Sequence, residues 1–206
     1  PTSRLVSGGP GSGVAWETLS RQGRRNVATV LSSEAIEAVM GEPAAAEPIR
    51  VFVGLESAPT EAERVALALA ELERTGAFDR ELLMVISPTG TGYVNYVAVE
   101  TAEYLSRGNM ASVTMQYSLR PSPLSLDRVA EGRTHYRMLI DAIHNALGER
   151  PADRRPPHQR AAAAPQPVRG ARRQLNRWSQ GCHHRPVTAS WSRPPQPEVA
   201  SSLTPR

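Results

Sequence analysis

Three short apolar runs constrain this chain most. They are Pro48 to Leu55 (PIRVFVGL), Leu82 to Ile86 (LLMVI) and Ala111 to Leu119 (ASVTMQYSL), and a segment with helical spacing separates each from the next. Short runs rich in branched residues and bounded by turn signals read as buried strands. A helix between strands permits a parallel crossover, which a two-residue turn does not. The alternation predicts an α/β fold with a mostly parallel sheet and helices covering both faces.

The helical segments carry their own stop and start signals. Ser32 or Ser33 can cap a helix through Ile36, Val39 and Met40, with Gly41 ending it and Pro43 preventing a restart. Thr60 with Glu63 three residues on forms a capping box, and Val65, Leu69 and Leu72 make one apolar stripe that Gly76 closes. Val94 to Asn109 reads as a helix ended by Gly108. Ser125 to Glu149 reads as a long helix with Val129, Tyr136, Leu139, Ile140, Ile143 and Leu147 on its apolar side, weakened modestly by Gly132. Residues 1–13, with SGGPGSG, read as a linker. Trp16, Leu19 and Val27 can anchor the next segment, and Arg21, Arg24 and Arg25 read as a solvated basic face.

Past Glu149 the pattern stops. Residues 151–206 hold ten Pro and ten Arg against two acids, with no strand and no helical stripe. Such a segment buries too little apolar surface to offset the ordering of its backbone, so it is expected to be a disordered Arg/Pro-rich tail. The net charge of +4 comes from that tail, because residues 1–150 carry 14 Arg and 18 acids. The body is therefore not expected to bind nucleic acid. All 24 basic residues are Arg. Arg, Pro and Ala have GC-rich codons, and GC-rich DNA read out of frame yields this composition. The tail is thus expected to be out of frame. A basic tail for anionic partners and a Pro-rich recognition segment remain the alternatives.

The second apolar run ends in Ser87-Pro88-Thr89-Gly90-Thr91-Gly92, at the carboxyl end of a predicted strand, where ligands bind in such sheets. A phosphate loop is excluded, because it needs a Lys and the chain has none. A dinucleotide fingerprint lacks its third glycine. An oxyanion loop needs backbone N–H groups facing a developing negative charge between a strand and a helix, and Thr89, Gly90, Thr91 and Gly92 meet that description. A plain tight turn, with Thr91 or Asn95 capping the next helix, stays open beside it.

Other chemistry is sparse. His135 and His144 lie nine apart on the long helix, not at a ligand-pair spacing, and are expected at the surface. Cys182-His183-His184 is a lone cluster in the tail. One cysteine allows no internal disulfide, and no run of about 18 apolar residues suggests a membrane span. No metal and no cofactor are expected. There is no G-x-S-x-G.

The stretches GSGVAWETLSRQGRRNV, PIRVFVGLESAPTEAERVALALAELERTGAFDRELLMVISPTGTGYV and MQYSLRPSPLSL resemble an actinobacterial family of membrane-anchored proteins with a C-terminal α/β-hydrolase catalytic domain. The resemblance covers about residues 11–155. It implies part of a three-layer α/β-hydrolase sandwich, with residues 1–13 a linker, 14–150 the N-terminal part of the catalytic domain and 151–206 the tail. It implies a serine hydrolase of the esterase or lipase class acting on a small ester or lipid, membrane-associated through segments absent here. The nucleophile strand expected after the long helix is replaced by PPHQRAAAAPQPVRG. The frame is therefore expected to be lost near residue 155, and the fragment to be inactive, with an exposed sheet edge at Ser112–Ser118. A small non-enzymatic α/β binding protein is the alternative.

Overall fold

The computed structural model describes residues 1–121 and 126–150. Its order is α1 (Arg21–Ala28), α2 (Ser33–Met40), β1 (Ile49–Val53), α3 (Glu61–Thr75), β2 (Leu82–Ile86), α4 (Tyr96–Leu105), β3 (Met110–Met115) and α5 (Val129–Glu149), with 3-10 turns at Trp16–Thr18, Ala77–Asp79 and Leu126–Arg128. The strands form one parallel sheet in the order β1-β3-β2, with Val51 and Val85 both level with Val113. The α/β class is as the alternation predicts.

The caps are local and follow the sequence. Ser32 accepts from the Ala35 amide, and Gly41 ends α2 in the left-handed region. Thr60 and Glu63 close a full capping box at α3, and the bonds to Thr60 hold the Glu63 carboxyl below its ordinary pKa. Asn95 caps α4 through the Ala98 amide.

Strand order fixes the layers. The chain passes from β1 over β3 to β2 and then steps back to β3, so crossovers of one hand put α3 and α4 on opposite faces. On the α4 face, the buried Arg50 of β1 donates to both carboxylate oxygens of the buried Glu103 at 2.6 and 2.8 Å. It also donates to the Asn26 carbonyl of α1 at 2.7 Å, and Phe52 lies so close to Gly23 that a Cβ there would stand 2.6 Å from its ring. On the other face α5 packs on α3, with Leu139 and Ile143 entering the core beside Ala68 and Leu72.

Three expectations change. Residues 1–13 are not a free linker. Val6 is buried and bridges Arg50 in parallel fashion, with Ser7 N–H donating to the Arg50 carbonyl at 3.1 Å and Arg50 N–H to the Leu5 carbonyl at 3.2 Å. Glu71 of α3 anchors this segment by accepting from the Ser7 and Ser12 hydroxyls, the Gly13 amide and Arg74. Second, the segment expected as an exposed edge contains β3, which is the central, fully buried strand; among the described residues the open edge is β2, where Leu82 is 41% exposed. Third, His135 is buried, while His144 is exposed as expected. The Arg/Pro-rich tail and Cys182-His183-His184 lie outside the described residues.

Arg24 and Arg25 also do more than solvate a face. They lie over the Trp16 and Tyr96 rings at 5.6 and 5.4 Å from the ring centroids. No helix among the described residues is long and apolar enough to cross a membrane.

Candidate functional site

The register brings Val53, Met115 and Ile86 to nearly the same level, so the three strands deliver their following loops to one edge of the sheet. The β2 loop runs through Ser87, buried Pro88, exposed Thr89, buried Gly90, Thr91 and buried Gly92. It is a closed turn. Thr89 N–H donates to the Tyr93 carbonyl at 3.0 Å, and Gly92 N–H to the Thr89 carbonyl at 2.8 Å. Gly92 has φ +84°, which a side chain would strain, and a Cβ there would stand 2.9 Å from Gln116 Cδ.

Gln116 holds the loop from the neighbouring strand. Its own N–H continues the sheet onto the Val53 carbonyl at 3.0 Å. Its side-chain amide donates to the Thr91 and Ser118 carbonyls at 3.1 and 2.7 Å. The amide oxygen of this fully buried side chain has no hydrogen-bond partner among the described residues. Gln116 is not among the residues the sequence points to. A polar residue closing an apolar strand, level with a Gly-rich loop, is the signal that could have found it.

The four loop residues therefore differ. Thr89 and Gly92 commit their N–H groups inside the turn. Thr91 N–H has no acceptor among the described residues, and its carbonyl is fixed by Gln116. Asn95, one of the two capping candidates, is the cap.

Beside this loop is a cavity of about 490 Å3 between the sheet edge and α5, lined by Ser87, Tyr117, Val129, Gly132, Tyr136 and Ile140, with Arg133 and Arg137 also in its wall. The Tyr117 ring lies on the α5 backbone where a side chain is absent: a Cβ on Gly132 would meet its Cγ at 2.9 Å. The glycine that weakens the helix thus makes room for an aromatic wall. Tyr136 donates its hydroxyl to the Val85 carbonyl at 3.1 Å, tying α5 to the end of β2. The cavity combines apolar and aromatic walls with two exposed guanidinium groups, which suits a molecule with an apolar body and an electron-rich or anionic end.

A parallel sheet with a Gly-rich loop at its carboxyl edge is the class of architecture that the hydrolases of this type share with other doubly wound folds. The model of the alpha/beta-hydrolase family matches residues 49–159, from the first residue of β1 to beyond α5. The chain belongs to the alpha/beta-hydrolase family. No curated protein and no solved structure matches it.

Proposed function

We propose that the carboxyl edge of this sheet is the oxyanion side of a serine-hydrolase site of the esterase or lipase class. The observation that carries the reading is the Thr91 N–H, which has no acceptor among the described residues in a turn pinned by Gln116. In acyl transfer a Ser oxygen adds to the ester carbonyl, the carbonyl oxygen becomes anionic, and collapse expels the alcohol; a His takes the nucleophile's proton and returns it to the leaving oxygen. A fixed N–H at the position of the developing charge stabilises that intermediate without reorganising. The cavity beside the loop would take the apolar part of the ester.

The chain has no G-x-S-x-G, so on this reading it does not complete the reaction alone. On this reading the chain is part of a longer hydrolase whose reading frame is lost near residue 155; the resemblance to membrane-anchored actinobacterial proteins and the composition break after Glu149 support it. Two measurements test this. The chain as it stands should hydrolyse no p-nitrophenyl ester and take no fluorophosphonate label; labelling at a serine of this chain would overturn the reading. The coding DNA beyond codon 150 should, in another frame, encode an apolar strand followed by G-x-S-x-G. In the protein so restored, Thr91→Pro, which removes the N–H, should lower kcat by about 10²- to 10³-fold. An unchanged kcat would remove Thr91 from the site.

A further inference from the structure

On the side of α5 that faces α3, the buried His135 meets two carboxylates. Its Nε2 is 2.6 Å from Glu61 Oε1 and 3.9 Å from Glu131 Oε1. Glu131 and His135 are one helical turn apart on α5, and Glu61 is the first residue of α3. The three donor atoms lie within 4.8 Å of one another.

An ordinary buried His–Glu pair would be closed by a hydrogen bond. Here neither ring nitrogen has a hydrogen-bond partner among the described residues, although His135 is 1% exposed. The Glu61 oxygen is 2.6 Å from Nε2 yet forms no hydrogen bond with it. Nε2 is therefore left for a ligand other than that oxygen. A metal ion binds at such a nitrogen, with carboxylate oxygens flanking it.

We propose that Glu61, Glu131 and His135 form a binding site for a first-row divalent transition ion of the Zn2+ type. A tetrahedral ion with bonds near 2.1 Å sets its donors about 3.4 Å apart. The two observed separations bracket that spacing, and small rotations of the two glutamates, which are 35% and 26% exposed, reach it. The same exposure gives the ion a path from solvent and leaves a fourth position for water. Two carboxylates neutralise the divalent charge. Arg128 holds the second oxygen of Glu131 at 2.6 Å, orienting the carboxylate as outer partners of metal ligands do. One imidazole with two carboxylates favours Zn2+, Co2+ or Mn2+ over Ca2+, which takes six or more oxygens.

The test uses the full-length chain carrying Cys182→Ser, His183→Ala and His184→Ala, so that the tail cluster contributes nothing. Calorimetry with ZnCl2 should give one ion per chain with micromolar affinity, and ZnCl2 should raise the Tm, whereas MgCl2 and CaCl2 should not. Glu61→Gln and Glu131→Gln, at partly exposed positions, should each weaken Zn2+ binding at least tenfold while circular dichroism stays unchanged. Cobalt should give visible bands of four-coordinate Co2+ that are lost in both variants. His135→Ala should abolish binding, and the glutamine variants decide the matter if it does not fold. No binding at 100-fold excess Zn2+, or binding unchanged in both glutamine variants, would overturn the site.

Discussion

The two edges of the sheet are finished differently. At β1 every residue is buried, and the segment around Val6 lies along the outer side, exchanging backbone bonds with Arg50. At β2 no strand among the described residues pairs with the outer side, and all five residues keep some exposure. Only the Tyr136 hydroxyl, on the Val85 carbonyl, reaches this strand's backbone from α5. Both strands are five residues long and, apart from Arg50 in β1, apolar, so apolar content does not account for the difference. What differs is how much polar machinery surrounds them. The β1 side has two glutamates inside the fold, each satisfied by an arginine and by backbone amides. An edge is sealed when buried charges hold a covering segment in place, and left open when a single hydroxyl does the work.

The largest way to break that contrast is Glu103→Ala. It isolates the Arg50 guanidinium inside the fold and should cost about 3–5 kcal/mol, read from urea unfolding. A loss below about 1 kcal/mol would mean that the Asn26 carbonyl and the Thr29 hydroxyl, which accept from Arg50 at 2.7 and 3.1 Å, satisfy it without Glu103. Next is Glu71→Ala, which releases Ser7, Ser12 and Gly13 together and should cost about 1–3 kcal/mol. Hydrogen exchange should accelerate at the Ser7 and Arg50 amides and remain unchanged in β2.

The same carboxylate makes the sealed edge sensitive to acid. Burial raises the Glu71 pKa, but the bonds from Arg74, Gly13 and Ser12 outweigh it and hold the group below the ordinary carboxylate value of 4.5. A depressed carboxylate contributes stability that is fully present above its unfolded pKa and is lost as pH falls through the folded one. Exchange at Ser7 should therefore rise as pH is lowered below 4.5, after correction for intrinsic rates, and Glu71→Gln should remove that dependence.

At the open edge the effects are smaller. Tyr136→Phe should cost about 0.5–1.5 kcal/mol and loosen β2 without touching β1. Leu82→Lys, at an exposed position, should change stability by no more than about 0.5 kcal/mol. It should nonetheless lower self-association in light scattering, because a charge on an open edge opposes strand pairing between molecules. Unchanged scattering would show that this edge is not the sticky one.

Local signals in the sequence predicted the local structure. The run Leu82 to Ile86 is β2 residue for residue, and Gly41, Thr60 with Glu63, and Gly76 mark helix ends as their chemistry requires. Strand order is not legible, because apolar runs do not say which neighbour they choose, and the central strand reads from sequence as an edge. Val6 was hidden by its glycine-rich surroundings, since pairing along β1 takes only a few residues and the turns that follow use Gly8 and Gly11 at positive φ. His135 reads as a surface residue because Glu61, the carboxylate it meets, belongs to a helix far away in the chain. At the site, the Gly/Thr loop was visible from composition, but which of its amides the turn consumes depends on Tyr93 and Gln116.

The Arg50–Glu103 pair also bears on how such a sequence can change over generations. Position 50 lies on a strand and position 103 on a helix, and neither side chain reaches solvent. Replacing either residue alone strands its partner's charge in the interior, whereas replacing both with apolar residues of similar volume can be tolerated. Drift at these two codons is thus expected to be coupled, with viable descendants keeping both charges or losing both.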